Sequence, residues 1–383
     1  MSSAQPLRVL IVKTSSMGDI VHALPVVHDM LAAHPGAQID WLVEEAYADI
    51  VRAHPGVHRV IPLALRRWRR QFWRADIRAE WHAWKAQLRA ESYDAVIDLQ
   101  GLVKSALIAR LARGPLYGLS WGSAREALAP LFYRHRQETA LHRTEAAVPR
   151  YRALVAWALG YTPQGQPRYG LHLQAARPDW LPGEAPYVVL LSATAKDRKL
   201  WDEARWIALG QALAAQGKLC VFAWGNAAER ARAERLAVAV QGGAAASAAS
   251  VGAEDPPPGR PKAGLAPSGG SAAALAASVG ASFTSAGALP APAAFGLAEW
   301  MRVLRAANVV VGVDTGLLYL AAAVGTPAVA IYTGSSPHSV EFESAGPWRS
   351  LGDRGQQPAV EAVLAATRAV LAADRRGTDM QPA

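Results

Sequence analysis

The sequence predicts an α/β protein made of two doubly wound domains, each a parallel sheet with helices on both faces. Three observations carry this. Short β-branched apolar runs alternate with stretches of helical periodicity, which is βαβ patterning. The pattern lapses midway and then restarts, and 383 residues are long for one core but comfortable for two at roughly 150 residues per domain.

RVLIV, residues 8–12, reads as a buried strand, and IVHALPVVHDML predicts a helix over about 20–33. Strand QIDWLV, a helix near 46–53, strand HRVIPL, a long amphipathic stretch from Arg66 to Ala90 and strand DAVIDL follow. Weak periodicity with Pro and Gly from Tyr161 to Pro186 marks a connector. Beyond it come YVVLLSA, the helix DEARWIALGQALAAQ, the strand KLCVFAWG, the helix AERARAERLAVAV, and the strands in VVVGVDTG and PAVAIYTG. The expected domains are 1–172 and 185–357, with 358–383 as a terminal helix, AVEAVLAATRAVLAA, and a frayed tail. Residues 241–294 contain GGAAASAAS, EDPPPGRPKAG and PSGGSAAALAAS. They lack the large apolar side chains needed to offset ordering entropy, so they predict a low-complexity surface insertion in the second domain.

Composition narrows the class. With 51% hydrophobic and 19% charged residues the chain reads as soluble and globular, and no run approaches the roughly 18 apolar residues of a membrane span. MSSAQPL is too short for a signal sequence before the first strand, so the expected compartment is the cytoplasm. Cys220, the sole cysteine, lies in LCVFAW and is expected in a buried strand, with no intrachain disulfide. The formal charge of +9 is unevenly spread. Residues 1–180 hold 23 Lys+Arg against 15 Asp+Glu, and residues 181–383 hold 17 against 16. The first half therefore meets the anionic partner, whether nucleic acid, a membrane surface or a substrate rich in phosphate and carboxylate.

Three loops carry candidate chemistry. TSSMGD, residues 14–19, is a strand-to-helix turn. In an open parallel sheet such turns lie where ligands bind, and their N–H groups attract anions. Asp19 stands at the mouth of that crevice, either as a helix cap or as a reacting carboxylate. Asp314-Thr315-Gly316 repeats the logic after VVVGV: Gly316 permits close backbone approach, and the helix amino terminus behind it suits a pyrophosphate. In SATAKDRKLW, Thr194 and Lys199 follow a strand end, where Lys199 either reaches a phosphate or is a solvated loop lysine.

Together, VKTSSMGDIVHALP, RRWRR, DLQGLVKSALIARL, AREALAPLFY, the lysine loop and VGVDTGLLYLAAAVGTPAVAIY resemble the lipopolysaccharide heptosyltransferases of glycosyltransferase family 9, specifically their type I pattern. The resemblance covers about residues 8–240 and 295–335. It implies a GT-B fold: two Rossmann-like domains facing across a cleft, with the acceptor on the first and the nucleotide sugar on the second. It also implies inverting transfer of L-glycero-D-manno-heptose from ADP-heptose to the first 3-deoxy-octulosonate of the lipid A inner core, with no cofactor. Residue by residue, Asp19 falls on the catalytic base. Thr194 and Lys199 fall on phosphate contacts, and Thr315 and Gly316 on backbone donors to the pyrophosphate. Glu229 matches a holder of the ribose hydroxyls, Asp314 an orienting aspartate, and Phe295 a residue packed on adenine. Three positions depart from the pattern: Ala195 replaces a second threonine, Tyr319 replaces the histidine of D-T-G-L-S-H, and Phe295 stands where a smaller apolar residue, often methionine, packs on adenine.

RRWRRQFWR, Arg66 to Arg74, sets five arginines among three aromatics. Arginine forks suit phosphate and carboxylate, and Trp and Phe suit a membrane interface. The resemblance makes this acceptor docking by Arg66, Arg67 and Arg69, with Lys104 and Arg125 neutralising the sugar acids; the alternative is a solvated helix face. The expected setting is the cytoplasmic face of the inner membrane, in peripheral contact with its anionic surface. Nucleic acid is not an expected partner, since no helix-turn-helix, zinc-finger or RNP signature accompanies the patch. No metal is expected either: D-x-D, C-x-x-C and H-E-x-x-H are absent, and His54 and His58, beside Pro55-Gly56, read as exposed loop histidines. Within the enzyme class a type II enzyme is the nearest competitor. Outside it, a non-catalytic nucleotide-sugar or lipopolysaccharide-binding relative stays open.

Overall fold

Two six-stranded, wholly parallel sheets organise the chain. The computed structural model describes residues 5–138, 146–251, 287–337 and 344–374. The first domain runs β1 (Arg8–Val12), α1 (Met17–Ala23), α2 (Pro25–Ala33), β2 (Gln38–Glu44), α3 (Ala48–Arg52), β3 (Arg59–Leu63), α4 (Leu65–Gln71), α5 (Ala75–Leu88), β4 (Ala95–Asp98), α6 (Val103–Ala109), β5 (Leu116–Leu119), β6 (His135–Gln137) and α7 (Ala147–Leu159). The second runs β7 (Tyr187–Leu191), α8 (Glu203–Ala214), β8 (Leu219–Phe222), α9 (Ala227–Val251), β9 (Gly287–Pro290), α10 (Leu297–Ala306), β10 (Val309–Val313), α11 (Gly316–Ala323), β11 (Ala328–Ile331), β12 (Trp348–Leu351) and α12 (Val360–Ala372).

The strand orders are β3-β2-β1-β4-β5-β6 and β12-β11-β10-β7-β8-β9. Each sheet reverses direction beside its first strand, at β1/β4 and at β7/β10. Such a reversal splays the loops that follow and opens a ligand crevice at the carboxyl ends of the strands. β1 is buried on both faces, which is why its sequence is an unbroken apolar run. Val9 and Ile11 pack beneath α1, α2, α3 and α7, while Leu10 and Val12 pack beneath α4, α5 and α6. The first of these layers continues without a break into the second domain through α10 and α11, so one apolar cluster joins the two sheets.

Several expectations change in detail. The helix over 20–33 is two helices, because Pro25 cannot donate within a helix and instead begins α2. The stretch from Arg66 to Ala90 breaks between Gln71 and Ala75, and the rings of Trp68, Trp81 and Trp84 pack α4 on α5. β5 and β6 are too short for periodicity to reveal. The edges of the 241–294 insertion belong to the fold: α9 continues to Val251, and β9 pairs in parallel with β8. The rest of that segment, 252–286, lies outside the described residues, as does the tail 375–383. The terminal helix packs on β11 and α8, within the second domain. Cys220 is buried in β8, and burial pushes its thiol up to about 12.

His54 is a correction. It is not an exposed loop histidine but is 5% exposed, its Nδ1 accepting from Gly56 N–H at 3.1 Å and its ring lying against Gly170, where a Cβ would meet Nε2 at 2.2 Å. His58 is exposed and sits 3.1 Å from Asp40. Burial brings His54 down to about 4 from 6.5, so below pH 6.5 the unfolded chain takes up a proton that the folded chain refuses. Stability should therefore fall as pH drops from 6.5 toward 4. Urea unfolding at pH 7 and pH 5 checks this, and His54→Gln should flatten the fall by about 2 kcal/mol.

Candidate active site

Asp19 is the third residue of α1, at the carboxyl end of β1. Its Oδ2 accepts from the Ser16 backbone N–H and from Ser16 Oγ, each at 3.0 Å. The cap expected at this position is therefore present, and the carboxylate still faces the crevice with its side chain 26% exposed. Tyr151 of α7 donates to Oδ1 at 3.4 Å, and Arg125 Nη1 lies 3.7 Å from Oδ2. Behind Tyr151 is Lys13, the last residue before the loop and 1% exposed, whose Nζ donates to Tyr151 Oη at 2.7 Å and to the Leu99 carbonyl at 3.4 Å. Burial alone would raise the Asp19 pKa. The nearby Lys13 charge and the Ser16 hydrogen bonds outweigh it and hold the carboxyl below its ordinary range. The adjacent His22 is buried and neutral, brought down to about 4.

A second network fixes the loop that bears Asp19. Asp98, fully buried at the end of β4, accepts from the N–H groups of Gln100 and Gly101 and from the hydroxyls of Ser105 and Tyr133. This holds Gln100 so that its Oε1 receives the Thr14 and Ser15 N–H groups, both at 3.2 Å. Gly101, at φ +67°, lets the chain turn so close to Arg125 that an added Cβ would stand 3.1 Å from the Arg125 nitrogen. DLQG is thus the base plate that places both Asp19 and Arg125. On α7, Arg152 forms a bidentate pair with the buried Asp29 of α2 at 2.7 and 3.0 Å, anchoring the helix that presents Tyr151.

In the second domain Asp314 is the convergence point. Its Oδ2 accepts from Lys199 Nζ at 2.5 Å and from Ser335 Oγ at 2.6 Å, and its Oδ1 from Tyr319 Oη at 2.9 Å. Thr194 Oγ1 donates to its carbonyl at 3.3 Å. Burial raises the Asp314 pKa, but the Lys199 and Ser335 hydrogen bonds prevail and keep it ionised. Tyr319 thus satisfies a buried carboxylate oxygen. Thr315 stands at the N-cap position of α11 without a side-chain capping hydrogen bond, and Gly316, its first residue, faces Met17 of α1, where a Cβ would come within 2.8 Å. The heads of the two helices thus meet closely at this point. Tyr319 and His22 meet edge to face across the same seam, with ring centres 4.8 Å apart.

The remaining candidates lie around these two centres. Glu229, in the first turn of α9 beyond β8, accepts from Gly225 N–H at 2.8 Å. Phe295, half-buried, packs with Trp180 and Trp300. Arg66 and Arg69 are exposed on α4, and Lys104 is exposed on α6. Arg67 is already committed, binding Glu80 through two contacts of 2.7 Å and Glu45 at 3.2 Å. Sequence reasoning gave no role to Lys13, Tyr151, Asp98, Gln100 or Ser335. Lys13 did carry a signal, being a lysine that directly follows the apolar run Val9–Val12. Tyr151 carried none, because it reaches the site only through the packing of α7.

Comparison with known proteins gives the family. The model of glycosyltransferase family 9 (heptosyltransferase) matches residues 81–248 and 284–361. Lipopolysaccharide heptosyltransferase 1 of Salmonella typhimurium is 40% identical over 338 residues, covering 86% of this chain and 90% of that protein. The E. coli heptosyltransferase WaaC solved with ADP superposes with a TM-score of 0.76 at 36% identity, over 95% of this chain and 99% of its own. The same protein with ADP-2-deoxy-2-fluoro heptose gives 0.73 over the same shares. Two facing doubly wound domains, a family model that matches most of the length and a relative 40% identical over 86% of the chain make this chain a member of glycosyltransferase family 9, the heptosyltransferases, with the GT-B fold.

Proposed function

We propose that this chain transfers L-glycero-D-manno-heptose from ADP-heptose to the first 3-deoxy-octulosonate of the lipid A inner core, inverting the anomeric centre. The observation that carries the reading is the juxtaposition of Asp19 with the Asp314-Thr315-Gly316 turn, one on each domain, at abutting helix amino termini. The first is an ionised carboxylate that can accept a proton; the second is a set of N–H donors and a lysine suited to a diphosphate. Identity of 40% to a type 1 enzyme over 86% of the chain favours that acceptor over the type II one.

In this mechanism the acceptor hydroxyl oxygen attacks the anomeric carbon as the bond to ADP breaks, and Asp19 takes the hydroxyl proton. Because Lys13 and Ser16 stabilise the carboxylate, Asp19 is a weak base. It acts late, after attack has acidified the hydroxyl, and much of the rate comes from alignment and from stabilising the departing ADP. Lys199, Thr194 and the backbone of Thr315 and Gly316 meet the diphosphate charge, Glu229 the ribose, Phe295 the adenine, and Asp314 orients Lys199. Arg66, Arg69, Lys104 and Arg125 take the acidic acceptor. Arg67 joins them only by giving up Glu45 or Glu80. The setting is the cytoplasmic face of the inner membrane, in peripheral contact with its anionic lipids.

Acceptor-dependent release of ADP from ADP-heptose tests the assignment. Asp19→Asn should lower kcat by about 10²–10⁴-fold with donor binding retained. Retained turnover in that variant would remove Asp19 as the base. The pH profile of kcat/KM tests the charge argument. In the native protein the acidic limb should lie below the ordinary carboxylate range, since Asp19 loses activity only as pH falls through its depressed pKa. Lys13→Met removes the stabilising charge and should move that limb to higher pH.

A further inference from the structure

Among the described residues, the large apolar side chains left exposed concentrate on one layer of the first domain. Leu107 on α6, and Leu128 and Leu131 at the short turn 129–132, are 48%, 61% and 56% exposed. They are neighbours: α6 packs on that turn, and Arg110, one helical turn beyond Leu107, lies 5.9 Å from the centre of the Phe132 ring. Arg136 extends the surface to the exposed Trp121, its Nε donating to the Pro130 carbonyl at 2.7 Å while its guanidinium lies 5.7 Å from the Trp121 ring. Single exposed leucines need no explanation, whereas a contiguous apolar patch among arginines does. Residues 101–138 hold six Lys and Arg against two Glu. One of these, Glu126, is turned onto the Val103 N–H at 2.7 Å.

We propose that this patch docks on an anionic phospholipid bilayer. Leu107, Trp121, Leu128 and Leu131 enter the interface, and Arg110 and Arg136 meet headgroup phosphates. Charge selects this occupant over a second copy of the chain, since pairing the patch with itself would set arginines against arginines. Position supports it too. Trp121 shares a loop with Arg125, which is 3.7 Å from Asp19, so a bilayer seated here lies beside the acceptor side of the cleft. The proposal deepens the transferase reading, and rests on it for what the bilayer presents.

The test is co-sedimentation of the full chain with phosphatidylethanolamine–phosphatidylglycerol vesicles at about 0.1 M and about 0.5 M salt. Native protein should bind, with part of the binding surviving high salt. Leu128→Glu/Leu131→Glu should weaken it by at least about tenfold at both salt concentrations. Arg110→Gln/Arg136→Gln should remove mainly the salt-sensitive part. Thermal unfolding and ADP release with a deacylated acceptor should match native protein in both variants, which separates docking from catalysis. Absence of vesicle binding by native protein, unchanged binding by the leucine variant, or loss of a dimer in place of vesicle binding would overturn the proposal. Vesicle binding without ADP release on the deacylated acceptor would overturn the transferase reading instead.

Discussion

The contact between two helix amino termini, Met17 at the head of α1 against Gly316 at the head of α11, sets the geometry of the cleft. Each such terminus carries a partial positive charge and unsatisfied N–H groups, so pressing two together is unfavourable unless negative charge is supplied. Asp19 and Asp314 supply it, one to each helix. The aspartates that read as reactive groups thus stand where the seam favours negative charge. Gly18 completes the fit, since a Cβ there would stand 3.2 Å from the Tyr319 ring.

Each carboxylate is in turn balanced by a lysine, and the two balances differ. Lys199 touches Asp314 directly, in an ion pair within the second domain. Lys13 acts on Asp19 through Tyr151, leaving one face of the carboxylate open to the crevice. Under the proposed assignment, the direct contact suits a group that holds a lysine for phosphate, and the indirect one a group that receives a proton. Lys13, 1% exposed, is costly to bury without a partner, which ties the integrity of the first sheet to that of the site, whereas Lys199 is only partly buried.

Much of this was legible in the sequence because it is local. A strand, a turn and a helix amino terminus within a dozen residues give Asp19 and the Asp314 turn their positions, and β-branched runs give the central strands. What was not legible depends on distant segments. Tyr151 reaches Asp19 from α7, 132 residues away, and is held there by the Arg152–Asp29 pair. β9 was hidden because GALP has the composition of the low-complexity stretch beside it, and only pairing with β8 makes it a strand. His54 looked like a loop residue because Pro55 and Gly56 follow it, and its burial comes from the distant Gly170 segment. Arg67 belonged to a run of arginines, but its partner Glu80 lies on the next helix.

The Met17–Gly316 contact also bears on how such enzymes can be recombined. Any chimera that joins the first domain of one member to the second domain of another at the connector divides this contact between two parents. A second domain with any side chain in place of Gly316 would push α11 away from α1 and open the seam beside Asp19, however well each half folds. In crossover terms, the head of α1 and the head of α11 form a single inherited unit although they lie about 300 residues apart in sequence.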